Sequence, residues 1–128
     1  MSGTTIYDRL GREKFFELSR RFYERALVDP LVGPMLPHDD IEGAIARQAL
    51  FLIQFFGGPA EYSASRAHPR LRARHLPFPI TVAARDNWVA NMTAALEETG
   101  IGDEEREAML QYFDRAATFM INSQSNPE

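Results

Sequence analysis

Four segments of the chain repeat apolar residues with the spacing of an amphipathic helix. In residues 13–27 the apolar positions include Phe15, Leu18 and Phe22, with arginine and glutamate between them. A spacing of three and four residues places such side chains on one helical face. Similar stripes cover residues 41–56, 81–98 and about 103–121. No stretch alternates apolar and polar residues over a useful length, so the pattern predicts an all-α protein without strands.

Residues that start and stop helices frame these stripes. Asp39-Asp40 precedes the second stripe and Thr81 precedes the third, where side-chain oxygens can accept from free backbone N–H groups. Prolines or glycines follow the first three stripes, and Gly100 ends the third. The remaining segments, 29–38 and 57–68, are longer than a minimal helix connection. Loops of that length in a small domain are often functional.

Composition limits the classes of protein that fit the pattern. A chain of 128 residues and 14.5 kDa with 45% hydrophobic residues predicts one domain, residues 1–128, with an adequate core. The net charge of -4 and the pI near 5.4 give no reason to expect a nucleic acid or an anionic membrane as partner. Monomer and homodimer both stay open.

The chain has no cysteine, which excludes disulfides, thiolate metal ligands and iron–sulfur clusters. The first twelve residues lack the apolar run of a signal peptide, and no window approaches the roughly 18 apolar residues of a membrane span. A cytoplasmic protein is the expectation. Hydrolase motifs such as Gly-x-Ser-x-Gly and His-Glu-x-x-His are also absent.

In the segment 68–80, prolines on both sides of His75 place this histidine where it can bind a metal. Pro69 suits the first turn of a helix, and Pro77 and Pro79 prevent helix soon after His75. His75 therefore closes a very short helix. There one ring nitrogen can bind a metal while a backbone carbonyl fixes the tautomer through the other, and this arrangement points to haem iron.

Many residues in one order resemble the truncated haemoglobins of group II. The resemblance covers nearly the whole length and implies an all-α truncated globin, a two-over-two helical sandwich that encloses haem b. Its antiparallel pairs would be helices 13–27 with 41–56 and 81–98 with 103–121. Without cysteines the haem would be non-covalent. The matching residues are Arg21-Phe22-Tyr23, Pro37, Asp39-Asp40, Phe51-Leu52, Gly57-Gly58-Pro59, Tyr62-Ser63, His68-Pro69-Arg70-Leu71-Arg72, Arg74-His75, Pro77-Phe78, Ile80, Arg85-Asp86 and Trp88.

The resemblance implies that His75 is the proximal iron ligand. It also makes Arg47, Tyr62 and His68 candidates, with Arg66 and Arg72, for charge-assisted hydrogen bonds to the haem propionates. Taken singly, each of these basic residues fits a solvated surface patch equally well. The expected cofactor-binding residues are Leu36, Ala44, Arg47, Phe51, Tyr62, His68, Leu71, Arg74, His75, Phe78, Ile80, Trp88 and Met92.

On the opposite face of the haem the resemblance places Tyr23, Gln48 and Trp88. Tyr23 can donate an O–H, Trp88 an N–H, and Gln48 both donates and accepts. Such donors favour dioxygen, which becomes partly negative at iron, over neutral carbon monoxide. Leu36 and Gln48 depart from the group pattern, because an aromatic and an apolar residue are usual at these positions. Gln48 is expected to take over the donor role that Leu36 cannot fill.

The sequence leaves the reaction open. Dioxygen, nitric oxide and carbon monoxide are the expected ligands, with nitric oxide dioxygenation, peroxidase-like chemistry and oxygen or redox sensing as alternatives. Whether the protein is an enzyme is therefore undecided. Any reductase would be a separate protein, because no Gly-rich nucleotide-binding motif is present. A cofactor-free helical interaction module is the competing class.

Overall fold

The computed structural model describes residues 4–62 and 80–120, and helices form most of both ranges. The four long helices lie close to their predicted bounds, and no strand occurs in the described ranges, which confirms the all-α prediction. None of the helices in these ranges is long and apolar enough to cross a membrane. The helices are α1 (Ile6–Leu10), α2 (Arg12–Ala26), a 3-10 helix (Gly33–Met35), α3 (Ile41–Phe55), α4 (Val82–Thr99) and α5 (Asp103–Phe119).

The predicted capping residues begin and end the helices. Asp40 accepts a hydrogen bond from the backbone N–H of Gly43 at 3.1 Å, at the start of α3. Thr81 accepts from the N–H of Ala84 at 3.1 Å, at the start of α4. Gly100 ends α4 in the left-handed conformation, with φ of 75°, which a residue without Cβ adopts easily.

Helix α1 is too short to show a periodic stripe in the sequence. It begins with a capping box, in which Thr5 and Asp8 each bond the other's backbone N–H. Gly11 separates α1 from α2 with φ of 86°, a conformation that L-residues with side chains rarely adopt. Gly11 therefore allows the chain to turn between α1 and α2.

Helices α2 and α3 form an antiparallel pair. The Phe15 ring, near the start of α2, lies 6.1 Å from the ring of Phe56, just after α3. Further along α2, Arg20 makes a 2.7 Å ion pair with Glu42 in the first turn of α3. Contacts that advance along α2 thus run backwards along α3.

Helices α4 and α5 form the second antiparallel pair. Arg85, in the first turn of α4, donates to the hydroxyl of Thr118 at 3.1 Å and pairs with the carboxylate of Asp114. Both partners lie near the end of α5. Helix α2 also packs against α4, which joins the two pairs into the expected two-over-two arrangement.

The core lies where the two pairs meet. Its largest fully buried side chains come from all four long helices, with Ile53 contributed by α3, so these helices share one apolar interior. The following side chains are at most 2% exposed: Phe15, Leu18, Phe22, Met92, Leu96, Met109 and Phe113.

Asp29 ties the segment after α2 to helix α4. Its carboxylate accepts from the backbone N–H groups of Leu31 at 2.8 Å and Val32 at 2.9 Å. It also accepts from the amides of Asn87 at 3.2 Å and Asn91 at 3.1 Å. Partial burial raises the pKa of Asp29, but these hydrogen bonds outweigh burial and hold the pKa below its usual range.

We expect Asp29→Ala to destabilise the protein by about 2 kcal/mol, because four donors lose their acceptor. The lowered pKa means that the charged carboxylate stabilises the fold fully above the unfolded-state pKa of about 4. This contribution is lost as the pH falls through the lower folded-state pKa. Urea unfolding of both proteins between pH 7 and pH 3 measures the difference.

The exposed Asp39 supplies a matched control. Asp39→Ala removes the same charge without removing a hydrogen bond that the structure shows, and it is expected to leave the unfolding free energy within about 0.5 kcal/mol. Equal effects of the two substitutions at pH 7 would contradict the role of Asp29.

Candidate functional site

A cavity of about 510 Å³ lies between the two helix pairs. A volume of this size is typical of sites for cofactors and other organic ligands. Helices α2, α3, α4 and α5 all contribute to its walls, together with the 3-10 segment. Of the residues predicted from the sequence, the following line it: Tyr23, Leu36, Ala44, Arg47, Gln48, Phe51, Tyr62, Ile80 and Trp88.

Other predicted residues are not found in the cavity wall. Met92 does not line the cavity and is wholly buried in the core, one helical turn beyond Trp88. His38 lies outside the cavity, where its Nε2 is 2.7 Å from the carbonyl of Gly33. The remaining predictions lie outside the described residues: His68, Leu71, Arg74, His75 and Phe78, as well as Arg66 and Arg72.

An aromatic wall closes the cavity on the side of α4 and α5. The Trp88 ring centroid is 5.1 Å from that of Phe22 and 5.7 Å from that of Phe113. Tyr23 is only 8% exposed and packs edge-on against Phe22, with 5.5 Å between the centroids. These contacts hold the Tyr23 and Trp88 rings in place, and both residues carry a polar group at the cavity.

Gln48 enters the cavity from α3 and is held by α2. The hydroxyl of the buried Ser19 donates to Gln48 Oε1 at 2.7 Å. The sequence predicted Gln48 at the site but did not indicate Ser19, because a serine among apolar residues carries no sign of its partner. The side chain of Gln48 is therefore anchored rather than free to sample rotamers.

Across the cavity from the aromatic wall, α3 contributes small and apolar residues. Ala44 is 4% exposed and its single methyl leaves room that a larger side chain would fill. Phe51 packs against the buried Tyr62, with ring centroids 5.3 Å apart and planes at 71°. Arg47 lines the cavity and also reaches Asp40 at 3.4 Å, so its positive charge is partly balanced.

Sequence reasoning missed the contribution of α5. Phe113, Ala116, Ala117 and Met120 line the cavity with spacings of three and four, which is one face of a helix. That periodicity was available in the sequence, but it does not distinguish a face that packs from one that borders a cavity. Tyr112 also lines it, and burial raises the pKa of its hydroxyl to about 12. This hydroxyl is therefore neutral at physiological pH.

Arg85 is a second lining residue that the sequence did not assign to the site. Arg85 belongs to the matching motif Arg85-Asp86, but the resemblance assigns it no role at the cofactor. The structure shows ion pairs to Asp86 at 2.8 Å and to Asp114. The positive charge of Arg85 is thus balanced by two carboxylates of the protein. The contact with Asp114 also connects α4 to α5 at the cavity.

The cavity fits haem by the chemistry of its walls. They are mainly aliphatic and aromatic, as a flat apolar porphyrin requires, while Tyr23, Gln48 and Trp88 bring hydrogen-bonding groups together. Groups of three or more His, Asp or Glu side chains that would hold a bare metal ion are absent from residues 4–62 and 80–120. The mainly apolar walls therefore suit a large organic cofactor.

Comparison with protein families agrees with this geometry. The model of the family described as bacterial-like globin matches residues 5–122. The group 2 truncated haemoglobin YjbI of Bacillus subtilis is 40% identical over 116 residues, which cover 91% of this chain and 87% of that protein. An identity of this size over nearly the whole chain shows common family membership.

Solved structures agree in fold. The haemoglobin of the thermophilic phototrophic bacterium Chloroflexus aurantiacus superposes with a TM-score of 0.89 at 44% identity, over 94% of this chain and 99% of that chain. The truncated oxygen-avid haemoglobin of Bacillus subtilis superposes with a TM-score of 0.86 at 39% identity, over 92% and 99%. The chain therefore belongs to the bacterial-like globins, as a group II truncated haemoglobin with the two-over-two fold and the haem-based ligand binding of that family.

Proposed function

We propose that this protein binds haem b in the cavity and holds dioxygen and other diatomic ligands there. One observation carries the proposal: a mainly apolar cavity of about 510 Å³ in which Tyr23, Gln48 and Trp88 are the neutral polar residues predicted on the ligand side. His75, from the segment outside the described residues, is the proposed iron ligand. Leu71, Arg74, Phe78 and the described lining residues are proposed to surround the cofactor.

Bound haem would supply an iron atom at which dioxygen, carbon monoxide or nitric oxide coordinates. The protein's part is to place donors beside that ligand. Tyr23 offers an O–H, and Trp88 and Gln48 each offer an N–H. A hydrogen bond to a negatively polarised acceptor contributes about 1.5 to 3 kcal/mol, which exceeds a neutral bond. These donors therefore stabilise bound dioxygen, which takes on negative charge, more than they stabilise bound carbon monoxide.

The apolar walls strengthen the hydrogen bonds that these donors make. Phe22, Phe113 and Leu36 present apolar surface to the cavity, and hydrogen bonds are stronger where the local dielectric constant is low. Ala44 adds no donor of its own and leaves space for a ligand. Leu36 packs at the corner before α3 and supplies only apolar surface, so the donors come from α2, α3 and α4.

The proposed propionate partners lie at the basic edge of the site. Arg47 is at the cavity and keeps its guanidinium near Asp40, and half-buried stems of this kind hold a charged group at a site rim. His68, with Arg66 and Arg72, is proposed to complete this edge. Tyr62 is buried against Phe51, which makes it part of the wall as well as a candidate donor.

Oxygen and nitric oxide redox chemistry is the reaction we propose for this site. The relative from Bacillus subtilis is described as oxygen-avid, and slow oxygen release gives nitric oxide time to react. Conversion of one nitric oxide and one dioxygen to nitrate takes one electron, which the iron of bound haem would supply. A separate reductase must return that electron. A single domain over residues 1–128, a cytoplasmic location, and a monomeric or homodimeric state stay predictions.

His75→Ala tests the cofactor site. We expect the wild-type protein to show a Soret band that shifts on reduction with dithionite and again with carbon monoxide. Removal of the imidazole is expected to weaken or alter that band, because the iron loses its protein ligand. His38→Ala is the matched control, since His38 lies outside the cavity and bonds only the backbone. A colourless wild-type protein that takes up no added haem would support the interaction-module alternative.

Gln48→Leu tests the donor role of the amide. Loss of one hydrogen bond to a polarised ligand is expected to speed oxygen release by about tenfold or more, with a smaller effect on carbon monoxide release. Stopped-flow displacement of each gas from the reduced protein measures both rates. An unchanged oxygen rate would leave the amide without a role in ligand binding.

Nitrate formation tests the proposed reaction. Oxygen-loaded protein mixed with one equivalent of nitric oxide is expected to yield about one equivalent of nitrate and ferric protein. Multiple turnovers are expected only when an electron donor is added. Ion chromatography gives the product ratio, and nitrite in place of nitrate would argue against dioxygenation.

A further inference from the structure

Ser19 is a buried polar residue at the contact between α2 and α3. Its side chain is fully buried, and its hydroxyl lies 2.7 Å from Gln48 Oε1 and 2.9 Å from the carbonyl oxygen of Ile45. Both distances are within the usual range for an O–H donor. Ser19 does not line the cavity, so any effect on a ligand must pass through a neighbour.

A hydroxyl has one proton, so the two acceptors compete for it. Ile45 lies inside α3, where its carbonyl already accepts the backbone bond of the helix. In the part of the chain that the structure describes, no other group donates to Gln48 Oε1, which is also the nearer of the two acceptors. The structure places the Oε1 end of the amide toward Ser19, within hydrogen-bonding distance of its hydroxyl.

The other end of the amide then faces the cavity. Gln48 lines the cavity, and the structure shows no protein partner for Nε2 in residues 4–62 and 80–120. Every fully buried side-chain nitrogen or oxygen in these residues does have a partner, so Nε2 is accessible. An accessible NH₂ at the wall is a donor available to a ligand.

We propose that Ser19 is a positioning residue that orients the Gln48 amide, so that Nε2 and not Oε1 is presented to the ligand. This inference rests on the proposed function, because it assumes a negatively polarised ligand in the cavity. With Ser19 removed, the amide can turn by half a rotation. The carbonyl oxygen would then face the ligand and repel its partial negative charge.

Ser19→Ala removes the hydroxyl and keeps a small side chain in the helix contact. We expect oxygen release from the reduced protein to become roughly two- to tenfold faster, with carbon monoxide release much less affected. Thr99→Val is the matched control. Thr99 is also buried, but its hydroxyl bonds only the carbonyl of Ala95 and is remote from the cavity.

A double-mutant cycle separates positioning from a general effect on packing. In the Gln48→Leu background, Ser19→Ala is expected to change oxygen release no further, since there is no amide left to orient. Wild-type release rates in Ser19→Ala would overturn the proposal. An equal acceleration by Ser19→Ala with and without Gln48 would also overturn it, because Ser19 would then act through packing.

The side-chain amide of Gln48 gives a readout that needs no cofactor. In ¹⁵N spectra of the haem-free full-length protein, Gln48→Leu identifies the Gln48 NH₂ signals by their loss. We expect Ser19→Ala to shift these signals and to lower their ¹⁵N order parameter, while Thr99→Val leaves both unchanged. Unchanged Gln48 signals in Ser19→Ala would overturn the positioning role. Failure of the wild type to take up haem would instead overturn the proposed function and leave this readout intact.

Discussion

Helix α2 packs on α3 and on α4 at the same time, and this double packing sets the positions of the polar groups in the cavity. A helix can satisfy two partners only if its apolar residues cover a wide arc. Phe15, Leu18, Phe22 and Ala26 provide that arc, and Ser19 is small enough to allow close approach of α3. Because Tyr23 follows Phe22 directly, the packing that buries Phe22 also directs Tyr23 to the cavity.

The cavity limits the packing that the protein can achieve alone. Side chains that line a cavity make fewer contacts with other protein atoms than side chains in a close-packed interior. A cofactor that binds only the folded state adds to stability by mass action. The hydrogen bonds of Asp29 connect the corner after α2 with α4, and one of their donors, Val32, also lines the cavity. The position of Trp88, next to Asn87, thus depends on polar contacts as well as on ring packing.

The helices could be predicted because each signal is local. The caps at Asp40 and Thr81 and the turn at Gly100 depend on residues within one turn of the chain. How deeply a side chain is buried depends on contacts with residues that are far away in the sequence. Trp88 and Met92 share a face of α4 through their spacing of four, yet Trp88 borders the cavity while Met92 is buried in the core. Periodicity identifies a face but not its distance from a ligand.

Sequence patterns also do not predict which polar side chains of different helices bond to each other. The apolar stripe of α3 includes Gln48, so the sequence places an amide on the interior face. It cannot show that Ser19, 29 positions earlier, lies within hydrogen-bonding distance. The same holds for Arg85, whose partners Asp114 and Thr118 come from α5. The family resemblance gave the site residues, whereas these contacts between helices required the structure.

The lining that the structure describes is mainly neutral. Among the lining residues that the structure describes, none is a histidine, aspartate or glutamate, and Arg47 and Arg85 are paired with carboxylates. The hydroxyl of Tyr112, whose pKa burial raises to about 12, is neutral as well. Neutral donors of this kind stabilise a partly negative ligand without protonating it, which is the requirement for holding dioxygen unchanged.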